Sequence, residues 1–280
     1  MKRILKWTAI VLVSIVAIAL LVIVGVSEYR LRERFDIPPV VVAVPTDSAG
    51  LARGRHVFET RGCEGCHGPG LAGKVFFDDP MIARLIAPNV PEAIASYSDA
   101  ELARLLRYGV RPNGRGVAVM PSSMFYHLDD ADLGAIIAHL RTLPVLDSVA
   151  LPANSMRLLA RVGLVTGQYK VEPRNIVRDA PRAPNGPDPV ARGLYLAKSS
   201  CTECHGQQLQ GDRTTPALIV VRGYSASGFA RLMREGVPRD GRKLGLMAAT
   251  ARNRFSRFTD DEIGALYAYL SAAPGASAAP

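Results

Sequence analysis

Four cysteines occur in the 280-residue sequence, all within two short motifs, Cys63-Glu-Gly-Cys66-His67 and Cys201-Thr-Glu-Cys204-His205. Both read C-x-x-C-H. Two thiols at this spacing can bond to the two vinyl groups on one edge of a porphyrin. The adjacent histidine is then held beneath the iron as its proximal ligand. C-x-x-C also occurs in half of a zinc site and in dithiol redox pairs. A zinc site needs two more Cys or His close by, and a redox pair is expected at a strand-to-helix junction without a second copy. The motifs therefore predict two covalently bound haem c groups, attached through Cys63, Cys66, Cys201 and Cys204, with His67 and His205 on the irons. No cysteine is left for a disulfide or a thiolate ligand.

The sixth iron ligand follows by elimination. Histidine occurs at 56, 67, 127, 139 and 205, so the region after the second motif offers none besides His205. Methionine remains. Met233 falls within a predicted helix and reads as core, whereas Met247 follows Gly-rich sequence in a predicted loop. Ser98 to Met120 aligns without a gap with Ser225 to Met247, pairing Met120 with Met247 but Met124 with Ala251. Pro121 also denies the Met120 loop a helix. The predicted metal ligands are thus His67, Met120, His205 and Met247. His56, His127 and His139 read as surface or interface residues. A thioether is a soft, neutral ligand that favours ferrous iron and raises its reduction potential. Two filled axial positions leave no site for oxygen or peroxide. That is the chemistry of an electron carrier, with no catalytic residue and no small-molecule substrate.

The elements that must hold these residues occur twice. Ala52-Arg-Gly54 precedes the first motif as Ala191-Arg-Gly193 precedes the second, and Phe125 to Leu140 recurs as Phe255 to Leu270. The unit is longer than a solenoid repeat, so this is domain duplication. Leu133, Ile136, Ile137 and Leu140 have helical spacing, as do Ile263, Leu266, Tyr267 and Leu270. Thr259-Asp-Asp-Glu262 is a capping box for the second of these helices, and Asp129 caps the first. Further helices are predicted around Ala52–Thr60 and Val190–Ser199. No alternating strand pattern is evident. Between the units, the apolar stretch Met156–Val165 predicts a short helix packed on a module.

At the N-terminus, Met1-Lys-Arg-Ile-Leu-Lys6 is basic and Trp7 to Ser27 carries no charge. A helix over that run spans roughly 31 Å, close to the ~30 Å hydrocarbon core of a bilayer. It is longer than a signal-peptide core and lacks a good cleavage site, which predicts an uncleaved anchor. Flanking basic residues are balanced, so orientation follows from haem attachment, which takes place on the outer side of the bacterial inner membrane. The bulk of the chain is expected in the periplasm.

The modules resemble class I cytochrome c domains, and the whole is similar to the membrane-anchored cytochrome c subunits of bacterial alcohol, aldehyde and gluconate dehydrogenases. Ala87-Pro-Asn-Val90, Tyr97-Ser-Asp99, Gly109-Val-Arg-Pro-Asn-Gly-Arg115, Met120-Pro121, Asp130-Ala-Asp-Leu133 and Leu140-Arg-Thr-Leu-Pro144 carry the resemblance, over roughly 46–271. It implies an all-α fold: two tandem class I cytochrome c domains preceded by a single N-terminal transmembrane helix. The expected division is 1–28 cytoplasmic stub and anchor, 29–45 linker, 46–148 domain 1, 149–188 linker with a short helix, 189–272 domain 2 and 273–280 disordered tail. The resemblance makes Pro88 and Pro216 candidates to accept the proximal histidines' second N–H, ordinary loop prolines being the alternative. Arg115 and Arg242 are candidates to pair with propionates, solvated loop arginines being the alternative.

Four propionates would bring the formal net charge of +9 to about +5. No block of five Lys or Arg occurs, which argues against a nucleic-acid partner. The expected partners are redox proteins and the inner membrane. Electrons would come from a dehydrogenase or quinol-oxidising protein and pass to a terminal oxidase or soluble cytochrome. The enzymatic rival is a dihaem peroxidase, which needs one haem with a labile ligand. A haem-bearing sensor or structural subunit is the third class.

Overall fold

The computed structural model describes residues 1–146 and 150–272. The expected tail at 273–280, and the expected boundary between domain 1 and the following linker at 148/149, lie outside the described residues. The chain begins with α1 (Lys2–Leu31), among the described residues the one helix long and apolar enough to cross a membrane. It runs three residues past the expected end of the anchor.

The first module comprises α2 (Ser48–Arg61), α3 (Cys63–His67), α4 (Val90–Ala93), α5 (Asp99–Tyr108), α6 (Ser122–Phe125) and α7 (Asp130–Thr142). After α8 (Leu158–Thr166) come α9 (Pro189–Ser200), α10 (Thr202–His205), α11 (Ala226–Glu235), α12 (Leu246–Asn253) and α13 (Asp260–Ala272). Side-chain caps set the starts. Asp47 accepts from Gly50 N at 2.8 Å and Asp188 from Ala191 N at 2.7 Å. Asp129 accepts from Asp132 N, and Thr259 and Glu262 exchange both bonds of the predicted capping box.

In each module the first helix crosses the last with backbones nearly touching. A Cβ on Gly54 would lie 2.0 Å from the Ala135 carbonyl oxygen, and one on Gly193 would lie 2.0 Å from that of Ala265. These four residues recur between the two units, so the duplication preserves the crossing itself. Apolar side chains of both modules join in one continuous core, from Val57 and Phe58 through Leu133 and Ile137 to Tyr195, Phe229 and Leu266.

The fold is mostly helical as expected, with one small addition. A small antiparallel sheet interrupts the first module, formed by β1 (Lys74–Asp79) and β2 (Ala83–Ala87) with β3 (Ser155–Met156) on its edge. Asp79 shapes the hairpin turn by accepting from Met81 N and Ile82 N. Its short strands, bulged between Val75 and Phe77, are completed by a partner some seventy residues away. That pairing leaves little trace in local periodicity.

Among the described residues, both connecting segments contact the first module. Phe35 N donates to Gly114 O, Val40 N to Ala100 O, and the Arg104 guanidinium to Ile37 O. Ala43 O lies 1.9 Å from where a Gly134 Cβ would be, so Gly134 admits this strap. The predicted linker helix is present as α8, but it packs along the end of α1.

Candidate haem-binding site

Each motif sits on a single helical turn, and in both modules that turn follows the first helix at once. Gly62, with φ of 71°, ends α2 and starts α3; α9 continues into α10 through Cys201. One turn places the cysteines at i and i+3 on one face. Burial pushes the Cys63 thiol up to about 12 and the Cys201 thiol to about 11, and raises Cys66 and Cys204 as well. No cluster that could hold a bare metal ion occurs among the described residues.

His67 Nδ1 donates to Pro88 O at 3.0 Å and His205 Nδ1 to Pro216 O at 2.8 Å. A carbonyl can only accept, so this bond fixes the tautomer and leaves Nε2 with a free lone pair. Burial also depresses both imidazoles below their usual range, which keeps them neutral. The two proline carbonyls are therefore placed as the resemblance implied.

The loops that present those carbonyls repeat features the motifs alone did not disclose. Gly73 N donates to His67 O and Gly211 N to His205 O, both at 2.8 Å. Both glycines have positive φ (90° and 71°), and a Cβ on either would meet the backbone of the proline loop within 3.0 Å. Leu71 and Leu209, each four residues after its histidine, both hold φ of 59°. That is unusual for a non-glycine residue and is maintained by burial. The signal was the shared spacing from C-x-x-C-H.

One continuous cavity of about 2590 Å³ is lined by both motifs together with Met120 and Met247. Single-ligand pockets are about 300–1,000 Å³, so the space exceeds what one group needs. Met124 is fully buried, receives Arg254 Nη2 on its sulfur at 3.5 Å, and does not line the cavity. Met233 does line it, from the α11 position matching Leu106 on α5, which lines it too. Met247 lies in the first turn of α12 and not in the expected loop. Arg242 reaches the cavity wall, but Arg115 does not; Arg111 stands there in its place, donating to Gly116 O at 2.7 Å. His56 pairs with Glu262 across the two modules at 2.9 Å. His127 is buried edge-on to Tyr126, while His139 tilts against Phe58 at the cavity edge.

Arg254 is the residue that sequence reasoning overlooked. Its Nε donates to Thr60 O at 2.8 Å, Nη2 to Ser200 O at 3.1 Å, and Nη1 pairs with Glu203 at 3.3 Å. It thereby joins the ends of α2 and α9, the two helices that lead into the motifs.

A model of the cytochrome c family matches residues 51–144 and 190–274. The chain is 28% identical over 241 residues to a subunit of the nicotinate dehydrogenase of Pseudomonas putida, covering 76% of this chain and 19% of that protein. It is 26% identical over 233 residues to the cytochrome c subunit of the quinone alcohol dehydrogenase of Gluconobacter oxydans, covering 79% and 47%. It is 21% identical over 255 residues to the fructose dehydrogenase cytochrome subunit of Gluconobacter japonicus, covering 80% and 52%. The chain thus spans about half or less of the length of these relatives. With matches over both modules, each around a C-x-x-C-H turn and its proline-anchored histidine, the chain belongs to the cytochrome c family, whose members hold haem c covalently.

Proposed function

We propose that this chain is the electron-transfer subunit of a membrane-bound dehydrogenase system, carrying two haem c groups on the periplasmic face of a bacterial inner membrane. Electrons enter from a dehydrogenase or quinol-oxidising partner and leave to a terminal oxidase or soluble cytochrome. The continuous cavity lined by both C-x-x-C-H motifs carries the reading, because it gathers the two sites into one shared space. Each haem, when bound, supplies a one-electron ferric/ferrous couple.

The chain's own residues do the rest. Cys63, Cys66, Cys201 and Cys204 would attach the two groups, and His67 and His205, oriented by Pro88 O and Pro216 O, would ligate through Nε2. Met120 and Met247, on the cavity wall, would each supply a further ligand to one of the irons. Arg111, Arg213, Arg242 and Lys243 bring positive charge to that wall, where propionates can be paired. The helix α1 holds the molecule at the membrane, with its basic first residues in the cytoplasm.

Ferric-state absorption tests the ligand set. The methionine-to-iron charge-transfer band should fall by about half in Met120→Ala and again by half in Met247→Ala, and vanish in the double variant. An unchanged band in both single variants overturns the assignment. Haem quantification should give two groups per chain; a value of one removes the dihaem reading.

A further inference from the structure

The helix α8 lies beside the end of α1 in a fixed register. The Arg30 guanidinium donates to Leu164 O. One turn earlier on both helices, Arg161 donates to Ser27 Oγ at 2.7 Å and reaches Glu28 Oε2 at 3.3 Å. Residue numbers rise together along the two helices, so they run parallel. One further turn back brings Leu158 and Leu159 level with about Val24, inside the uncharged run that ends at Ser27.

The β1–β2 turn is fastened at the same height. Leu159 N donates to Met81 O at 3.2 Å and Arg157 N to Ile82 O at 3.0 Å. Met81, Ile82, Leu158 and Leu159 are 55%, 41%, 45% and 50% exposed. Two elements far apart in sequence thus present four large apolar side chains beside a segment that is itself apolar. The charges beside them are held in place: Arg157 pairs with Asp78 at 3.0 Å and donates to Asp79 O, and the Asp79 carboxylate accepts from Met81 N and Ile82 N. Asp78 in turn pairs with Arg84 at 2.9 Å. These groups form a polar rim around the apolar tip.

We infer that Met81, Ile82, Leu158 and Leu159 form a foot sunk into the headgroup and upper acyl region of the same bilayer that α1 crosses. The inference rests on the reading of α1 as a membrane span. The occupant is lipid because the patch continues the lipid-facing surface of α1, at the depth of about 5–10 Å typical of interfacial apolar elements. A helix alone can swivel and tilt about its axis. A second contact beside it fixes how the first module, and with it the opening of the cavity, faces along the membrane.

The full-length holoprotein in nanodiscs, containing a phospholipid with a photoactivatable diazirine in its acyl chain, tests this. After illumination, cross-linked peptides are mapped by mass spectrometry. Cross-links are expected in α1, at 81–82 and at 158–159, with none at the exposed reference residues Val41 and Val177. Cross-links in α1 without any at the foot overturn the foot and leave the span standing, whether water or a second copy of the chain covers the patch. An α1 free of cross-links overturns the span, and the foot with it. The variant Met81→Asp/Leu159→Asp should lose the foot cross-links while keeping those in α1 and an unchanged haem spectrum. Persistence of the foot cross-links in that variant would mean chance proximity and would also overturn the inference.

Discussion

The Arg254 guanidinium is spent on backbone oxygens at the ends of α2 and α9 and on Glu203, inside the second motif. Its side chain crosses Gly62, where a Cβ would lie 2.9 Å from Cδ. Its charge acts on all four motif thiols, opposing the upward push of burial. Replacing it by methionine orphans two carbonyls and leaves Glu203 without its cation, at a cost of about 3 kcal/mol in stability. Losing a positive charge beside both sites also disfavours the reduced state. Both midpoint potentials should fall in Arg254→Met and rise in Glu203→Gln, each by on the order of 1 kcal/mol, or tens of millivolts. Spectroelectrochemical titration reads the sign directly, and a shift of the same sign in both variants would defeat the electrostatic account. None of this was legible in the sequence. The motifs could be read because covalent chemistry dictates their spacing, and Met120 could be paired with Met247 because the duplication is ungapped there. Arg254 lies fifty residues beyond the nearer motif, and only tertiary packing brings it between them.

Among the elements, the longer capped helices were legible, whereas α12, expected as a loop, and the sheet were not. Caps and periodic apolar positions are local signals, so α2, α7, α9 and α13 follow from Asp47, Asp129, Asp188 and the Thr259–Glu262 box. The hairpin strands are short and bulged, and β3 joins their edge from another part of the chain, so the local pattern barely reports the sheet. Glycine shows how much a repeat conceals about context. Gly134 and Gly264 occupy matching positions, but Gly134 faces the strap at Ala43 while nothing lies within 4 Å of a Cβ on Gly264. Gly264→Ala should therefore stabilise α13 by up to about 1 kcal/mol through helix propensity alone. Gly193→Ala drives a methyl into the Ala265 carbonyl and should cost about 1–3 kcal/mol or more by overpacking the crossing. Urea unfolding of the holoprotein followed by circular dichroism separates the two, and equal effects would contradict the crossing as described.

At the scale of the molecule, the modules are joined by a polar seam over a shared core. Tyr195 donates to Asp132, which also pairs with Arg53. Arg61 donates to Ser199 Oγ at 2.9 Å, and Arg257 pairs with Glu59 at 3.4 Å. Glu262 meets both His56 and its own helix start, accepting from Thr259 N at 2.9 Å. Burial alone would push its carboxyl up. The hydrogen bonds from His56 and Thr259, with the nearby Arg61 charge, overcome that and hold it below the usual Glu value of 4.5. A depressed carboxyl stabilises the fold above its unfolded value, and that contribution is lost as pH falls through the lower folded value. Glutamine keeps the capping box but carries no charge. Glu262→Gln should therefore cost about 1–2 kcal/mol at pH 7. The gap from wild type should narrow once pH drops below about 4.5 and close below the folded value. Urea titrations of both proteins across that range measure the gap. If it stayed constant with pH, the charge on Glu262 would contribute nothing to docking, and the seam would hold through shape and neutral hydrogen bonds alone.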